Sequence, residues 1–342
     1  KRILTLQDRN SFSPTYGSFH RRYWLDKTDD FPDALPQFGV LTLALVFKHN
    51  FPNNPYYENP KILEWAIAGM DFWTAIQHND GTFDEFYPFE RGWAGPTAFT
   101  TYAIAEAYNT LKEFIPDNLK EKVLNACFKA ACSIGNRKEA GGILANHHAI
   151  AALAIWKTHE LINEPILIDA FEKTWETFMK YHNNDEGWSL EYDGVDPGYL
   201  SATVSFLAKI YQTNRSPEIL KVISQSVNFC SYFVYPNNFY GGSIGSRNTL
   251  HFYPHGFEIL SKEIPIAGSI SERMLTGLNE GKLVPPEIMA DRYVFYRIPE
   301  FLQSYLDYKP KEINLPPLPF ERNSFKKYFI KSSIYSETLP SP

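Results

Sequence analysis

The chain has 342 residues, 44% hydrophobic and 16% aromatic, enough to bury a large core as one big domain or a main domain with an appendage. Its 33 basic and 39 acidic residues give a formal net charge of -6, so the whole molecule offers no basic field to nucleic acid or to an anionic membrane. Cys127, Cys132 and Cys230 are too few and wrongly spaced for a zinc site or a disulfide framework, and no apolar run reaches the eighteen or so residues of a membrane span.

Residues 1–36 mix proline, aspartate, arginine and aromatic residues without sustained periodicity and read as an irregular arm. Within it, Arg21-Arg22-Tyr23-Trp24 either extends a cleft for a polyanion or forms ordinary surface. The first helix is expected over residues 37–48. Residues 61–77 carry Ile62, Trp65, Ala66, Phe72, Trp73 and Ile76 at three- and four-residue spacings, the mark of an amphipathic helix with a wide apolar face. Further helices are expected over residues 98–114, 119–133, 147–161, 166–182, 201–211, 218–233 and 251–260. Pro116, Pro165 and Pro217 stand where a proline opens a helix and so mark the outer turns of helical hairpins. After Tyr308 the composition becomes proline-rich and basic, which reads as a linker or the start of a further domain over residues 309–342.

Glycine turns punctuate the helices at Gly81-Thr82-Phe83, Gly141-Gly142-Ile143, Gly187-Trp188-Ser189 and Gly241-Gly242-Ser243, with gaps of 60, 46 and 54 residues between them. Each gap is the length of two helices and their connections, so the expected fold class is all-α, a series of hairpins over residues 37–308 closing into an incomplete α/α toroid. Each turn carries different polar residues, as the walls of one shared cleft would. The aromatic excess, 21 Tyr and 26 Phe, suits a cleft that stacks on sugars as well as core packing.

Three turns supply candidate chemistry. Asn146 and His147 open an otherwise apolar, alanine-rich segment; Glu191, Tyr192, Asp196 and Tyr199 follow one hairpin later; Arg247, Asn248, His251 and His255 follow the next. An amide, an imidazole, phenols and a guanidinium at one place suit β-elimination of a uronic-acid polysaccharide. Asn146 and Arg247 would hydrogen-bond the sugar carboxylate as it gains aci-anion character, a donor of this kind being worth roughly 3 kcal/mol. His147 or Tyr199 would take the adjacent proton, and a tyrosine would protonate the departing oxygen. Tyr192, Trp188, Glu85, Tyr87, Trp93, Asn248, His251 and His255 complete the expected substrate contacts. Pro254 between the two histidines disfavours a metal pair on one helical face, and no metal or cofactor is expected.

These residues resemble a known family. The Gly-Gly segment before Asn146-His147, then Asp185-Glu186-Gly187-Trp188-Ser189 with Tyr199 one hairpin on, looks like the toroidal domain of the heparinase II/III-like and alginate-lyase superfamily. The resemblance spans residues 37–305 and implies Asn146 as carboxylate neutraliser, His147 as base and Tyr199 as acid or base. The chain departs from that family in having Leu200 after the tyrosine, where the family commonly has histidine. It also ends before the β-sandwich domain into which the family enzymes commonly continue.

Two other functions fit the composition. The first turn brings Asp80, Asp84, Glu85 and Glu90 together, and Asp84, Glu85 or Glu191 would serve a glycoside hydrolase, a chemistry that needs paired carboxylates and also occurs on α/α toroids. A carbohydrate-binding protein of a polysaccharide pathway would use the aromatic residues and turn over nothing. In each case the partner is a glycan, expected to be acidic, and the sequence specifies neither oligomeric state nor compartment.

Overall fold

A computed structural model describes residues 1–89, 94–137, 144–192, 194–245, 249–310 and 314–321, and they are all-α in character. In chain order the helices are α1 (Arg2–Leu6), α2 (Arg21–Trp24), α3 (Gly39–Lys48), α4 (Pro60–Ala75), α5 (Gly95–Leu111), α6 (Asp117–Asn136), α7 (Ala145–Ile162) and α8 (Pro165–Met179). Two short strands follow, β1 (His182–Asn183) and β2 (Trp188–Ser189), then α9 (Pro197–Asn214), α10 (Pro217–Ser231), α11 (His255–Leu260), α12 (Pro265–Asn279) and α13 (Asp291–Asp307). Among the described residues no helix is long and apolar enough to cross a membrane.

The helices form two compact units. The first comprises residues 1–141, 150–176 and 290–302, the second residues 142–149, 177–289 and 303–342. In the first, α3 packs on α5 while α4 packs on α6, and the hairpin partners α3–α4 and α5–α6 join the two layers. The second repeats the pattern, with α9 on α11 and α10 on α12. Sequence explains the layering: α3, α5 and α9 are buried on nearly every side, whereas α4, α6 and α10 bury one stripe, including Trp73, Val123 and Val227 respectively, and expose the other. Helices apolar all round need cover on all sides, and amphipathic ones supply it.

The expected proline punctuation is observed. Helix α6 starts directly after Pro116, α8 at Pro165, and α10 at Pro217, where the Ser216 side chain accepts the Ile219 N–H. The two-residue links between α7 and α8 and between α9 and α10 close through the left-handed residues Asn163 and Arg215, with φ of 57° and 56°.

Two of the glycine turns share a physical cause, and Gly141-Gly142-Ile143 lies outside the described residues. Gly81 and Gly187 both adopt left-handed backbone, φ 86° and 84°, and each lies flat against a helix of its own unit. A Cβ at Gly81 would stand 2.4 Å from the Lys129 carbonyl oxygen on α6, and one at Gly187 would stand 2.4 Å from the Gln225 carbonyl oxygen on α10. Only glycine satisfies both demands.

Three segments differ from expectation. Residues 251–254 are not helical, because Pro254 delays the start of α11 to His255. The sequence pattern does not mark α12 and α13: α12 is rich in glycine and serine, and α13 contains Pro299. Residues 1–36 carry α1 and α2 and are well packed in the first unit, with Trp24 Nε1 donating to Leu6 O at 2.9 Å and Gln7 Nε2 to Trp65 O at 2.8 Å. The fully buried Gln37 accepts the Phe19 N–H at 2.7 Å and donates to Gly17 O and Gly69 O. Beyond the last helix, Ser269 donates to Pro316 O at 2.6 Å and Arg273 pairs with Glu321.

The close approach at Gly187 makes a stability prediction. Gly187→Ala incurs the left-handed penalty of about 1–2 kcal/mol and must also displace the Gln225 backbone. Gly281→Ala is the control, since Gly281 has φ 69° but open space around the missing Cβ. Urea unfolding is expected to show a clearly larger loss for Gly187→Ala.

Candidate active site

Helix α7 begins at Ala145, so the N–H groups of its first turn have no partner inside the helix. Ala145 N–H donates to Leu190 O at 3.1 Å, while His147 and His148 N–H return to Leu144 O. The Asn146 N–H donates to Glu191 Oε1 at 2.6 Å, and the Asn146 Nδ2 donates to Glu191 Oε2 at 2.8 Å. One carboxyl group thus receives both the backbone and the side-chain hydrogens of one residue.

Glu191 is held there by a tight reversal. Its N–H donates to Gly194 O at 2.8 Å and the Gly194 N–H returns to Glu191 O at 3.1 Å, with Leu190 N–H on Tyr181 O beneath. Tyr192 lies in the reversal at φ 55°, a left-handed conformation that an aromatic residue adopts at a cost of roughly 1–3 kcal/mol. Both Asn146 and Glu191 are buried, at 3% and 1% exposure. Burial pushes the Glu191 carboxyl up to about 8; the two hydrogen bonds from Asn146 pull the other way, and the charge of Asp196 adds to the rise.

Asp196 carries the arrangement onward to α9. It caps that helix, one oxygen accepting the Tyr199 N–H at 2.9 Å and the other accepting the Thr249 hydroxyl at 3.2 Å. Tyr240 donates its hydroxyl to Pro197 O at 2.9 Å, and a Cβ at Gly242 would stand 2.1 Å from Thr249 O, so Tyr240, Gly242 and Thr249 are fastened together at the start of α9. Asn146, His147, Glu191, Tyr192, Asp196 and Tyr199 therefore belong to one unit, in which Glu191 is bonded to Asn146 and feels the charge of Asp196, and Asp196 accepts the Tyr199 N–H. His147, Tyr192 and Tyr199 are partly exposed.

The other expected contacts fall in several places. Trp188 lies in β2, paired with Asn183, and its Nε1 donates to Glu186 Oε2 at 2.6 Å. His251 is partly exposed in the extended run before α11. His255 is buried, its Nε2 2.6 Å from Asp307 Oδ2, which also accepts from Gln212. Burial alone would raise the Asp307 carboxyl, but the hydrogen bond and charge of His255, with the Gln212 hydrogen bond, hold it below the usual range. The His255 ring is thus engaged with Asp307 under cover. Glu85 and Tyr87 lie in the first unit, Glu85 buried and bonded to Arg292, Tyr87 70% exposed. Arg247, Asn248, Trp93 and Glu90 lie outside the described residues.

Of the carboxylates considered for glycoside hydrolysis, Asp84, Glu85 and Glu191 are each engaged and covered, while Asp80 is exposed. Asp84 meets His78 Nε2 at 2.8 Å, Glu85 meets Arg292, and Glu191 receives Asn146. Hydrolysis needs two carboxyl groups flanking a glycosidic bond. The sequence places Glu191 in an equivalent turn but does not pair it with Asn146, 45 residues away. Two of the cysteines are buried thiols, burial pushing Cys127 and Cys230 up to about 12.

The raised Glu191 value has a consequence for stability. In the folded chain the proton is held up to about 8, against about 4.5 when exposed, so the stabilisation present below pH 4.5 is lost as pH rises toward 8. Thermal unfolding across pH 5–8 is expected to show stability falling by up to about 1.4 kcal/mol per unit from this group, and Glu191→Gln to flatten that slope. An unchanged slope would contradict the buried, shared-hydrogen picture.

Among known families, the ulvan lyase N-terminal domain matches residues 56–254, more than half of the chain and the stretch that carries Asn146, Glu191, Tyr199 and Arg247. No curated protein matches the chain. The polysaccharide-lyase part of the resemblance read from the motifs is met, although the matching family is not the heparinase II/III-like or alginate-lyase one. The chain belongs to the ulvan lyase N-terminal domain family, a family of polysaccharide lyases, carbon–oxygen lyases that act on a uronic-acid-containing polysaccharide.

Proposed function

We propose that the chain cleaves its uronate polysaccharide by β-elimination at the start of helices α7 and α9, with Asn146, His147, Tyr199 and Arg247 as the reacting set. The observation that carries this reading is the pair of hydrogen bonds from Asn146 to Glu191. They fix the amide in one orientation, and an amide nitrogen has a second hydrogen to give. That hydrogen, in a buried setting, is suited to the carboxylate of a uronic acid as its negative charge grows. Arg247 would share the same carboxylate.

With the carboxylate neutralised, the hydrogen on the adjacent ring carbon becomes acidic. His147 takes that proton, the electron pair forms the ring double bond, and the bond to the glycosidic oxygen breaks. Tyr199 gives its hydroxyl proton to the leaving oxygen. Imidazole is the readier base, because a phenol with a reference pKa of about 10 needs roughly 4 kcal/mol to ionise at pH 7. The family's name makes ulvan the first polymer to try, with other uronate polysaccharides beside it.

Elimination leaves an unsaturated sugar that absorbs in the ultraviolet, whereas hydrolysis leaves none. Tyr199→Phe is expected to lower the rate of absorbance gain by at least about 100-fold. The Asp196 cap uses the Tyr199 backbone, which the substitution leaves in place, and the thermal midpoint is measured beside the rate to separate folding from chemistry. Retention of full activity would remove Tyr199 from the mechanism, and new reducing ends without absorbance would replace elimination by hydrolysis.

A further inference from the structure

The first unit contains a cavity of about 260 Å³ that the elimination chemistry does not use. Phe19, Leu35 and Phe295 give it apolar walls, and Arg21 and Arg22 of α2 with Arg292 of α13 bring three guanidinium groups to it. The acidic and imidazole groups on its wall oppose these charges weakly. Asp33 is 9% exposed and accepts the Leu35 N–H at 2.8 Å; burial foremost, with the charge of Glu85, pushes it up to about 8. Asp291 is taken by Arg2 through two donors at 2.8 and 2.5 Å. His20 accepts the Asp33 N–H on Nδ1 at 2.9 Å and meets Asp29 through Nε2 at 2.9 Å, and burial holds its pKa below the usual value against the pull of that carboxylate.

The two arginines of α2 differ in their partners: Asp26 is exposed, whereas Asp29 is only 21% exposed. Arg21 is 3.6 Å from Asp26, and Arg22, itself 66% exposed, is 2.8 Å from Asp29. Water screens the exposed Arg21–Asp26 pair, and Arg22 carries further guanidinium donors besides the one that meets Asp29. Arg292 is different: it holds the buried Glu85 and lies over the Phe86 ring, 4.4 Å from its centre. From Phe86 the chain runs on through Tyr87 and Phe89, and the three rings are 48%, 70% and 71% exposed. The cationic wall thus passes through Arg292 into an exposed aromatic shelf.

Aromatic faces beside guanidinium groups answer the two halves of an acidic sugar. The C–H face of a pyranose packs on a ring, and a carboxylate or sulfate pairs with the planar donors of arginine. The volume is at the small end for ligand pockets, roughly 300–1,000 Å³, which fits one sugar residue or its anionic substituent. We propose that this cavity and its shelf bind an anionic sugar residue, Arg21 and Arg22 taking its carboxylate or sulfate and Phe86 and Tyr87 taking its ring. The proposal rests on the glycan-directed function of the chain, but its test reads binding and needs no turnover.

Affinity electrophoresis of the full chain in gels containing dextran sulfate, polygalacturonate or neutral dextran separates the possibilities. The wild type is expected to be retarded by one or both anionic polymers and not by dextran. Arg21→Ala/Arg22→Ala is expected to weaken that binding roughly tenfold, Arg21→Lys/Arg22→Lys to weaken it less, and Phe86→Ala/Tyr87→Ala to weaken it as well. Loss confined to dextran sulfate assigns the anion as sulfate, and loss confined to polygalacturonate assigns it as carboxylate. Binding by both arginine variants equal to wild type, or equal binding to dextran, overturns the site. If ultraviolet product forms normally while the arginine variants bind as wild type, this inference fails alone; if the variants lose binding and no ultraviolet product forms, the elimination reading fails alone.

Discussion

A helix that begins inside a protein must dispose of its first N–H groups, and the second unit depends on how α7 does so. The Asn146 N–H is buried where water cannot reach it, so leaving it unmet would cost about 1–3 kcal/mol. Glu191 meets it and takes the Asn146 side chain in the same grip. The requirement then spreads outward. To deliver Glu191, the chain must reverse within four residues, which puts Tyr192 into left-handed backbone and leads directly into the Asp196 cap of α9.

The same constraint explains why the candidate residues fall at helix starts. In each unit the helices of one layer are buried on nearly every side, so their middles offer no polar surface. Their N-terminal turns, entered through short glycine-bearing segments, are where polar groups are exposed or meet one another. Gly187 presses against α10, and Gly242 lies against Thr249, so these entries are rigid rather than loose. A rigid entry is what a set of donors needs if it is to be ready before a substrate arrives.

Much of this was legible in the residues. The glycine spacing and the prolines gave the hairpins, because both act locally through backbone conformation. Asn146, His147 and Tyr199 were legible as candidates because they are polar residues just after turns. Their links were not legible. Glu191 is 45 residues from Asn146 and reads equally well as a hydrolase carboxylate; Asp307, which meets the buried His255, is 52 residues from it; Arg292 is 207 residues from Glu85. Such partners are chosen by packing between distant elements, and no local pattern announces them.

In the proposed mechanism Glu191 acts on the reaction through Asn146, by aiming its amide. A double-mutant cycle measures this directly, with kcat on a uronate polysaccharide for Glu191→Gln, Asn146→Ala and the pair. If the two residues work as one device, the double variant is no slower than Asn146→Ala alone. If the two losses multiply, Glu191 has a separate role and does not work by holding the amide.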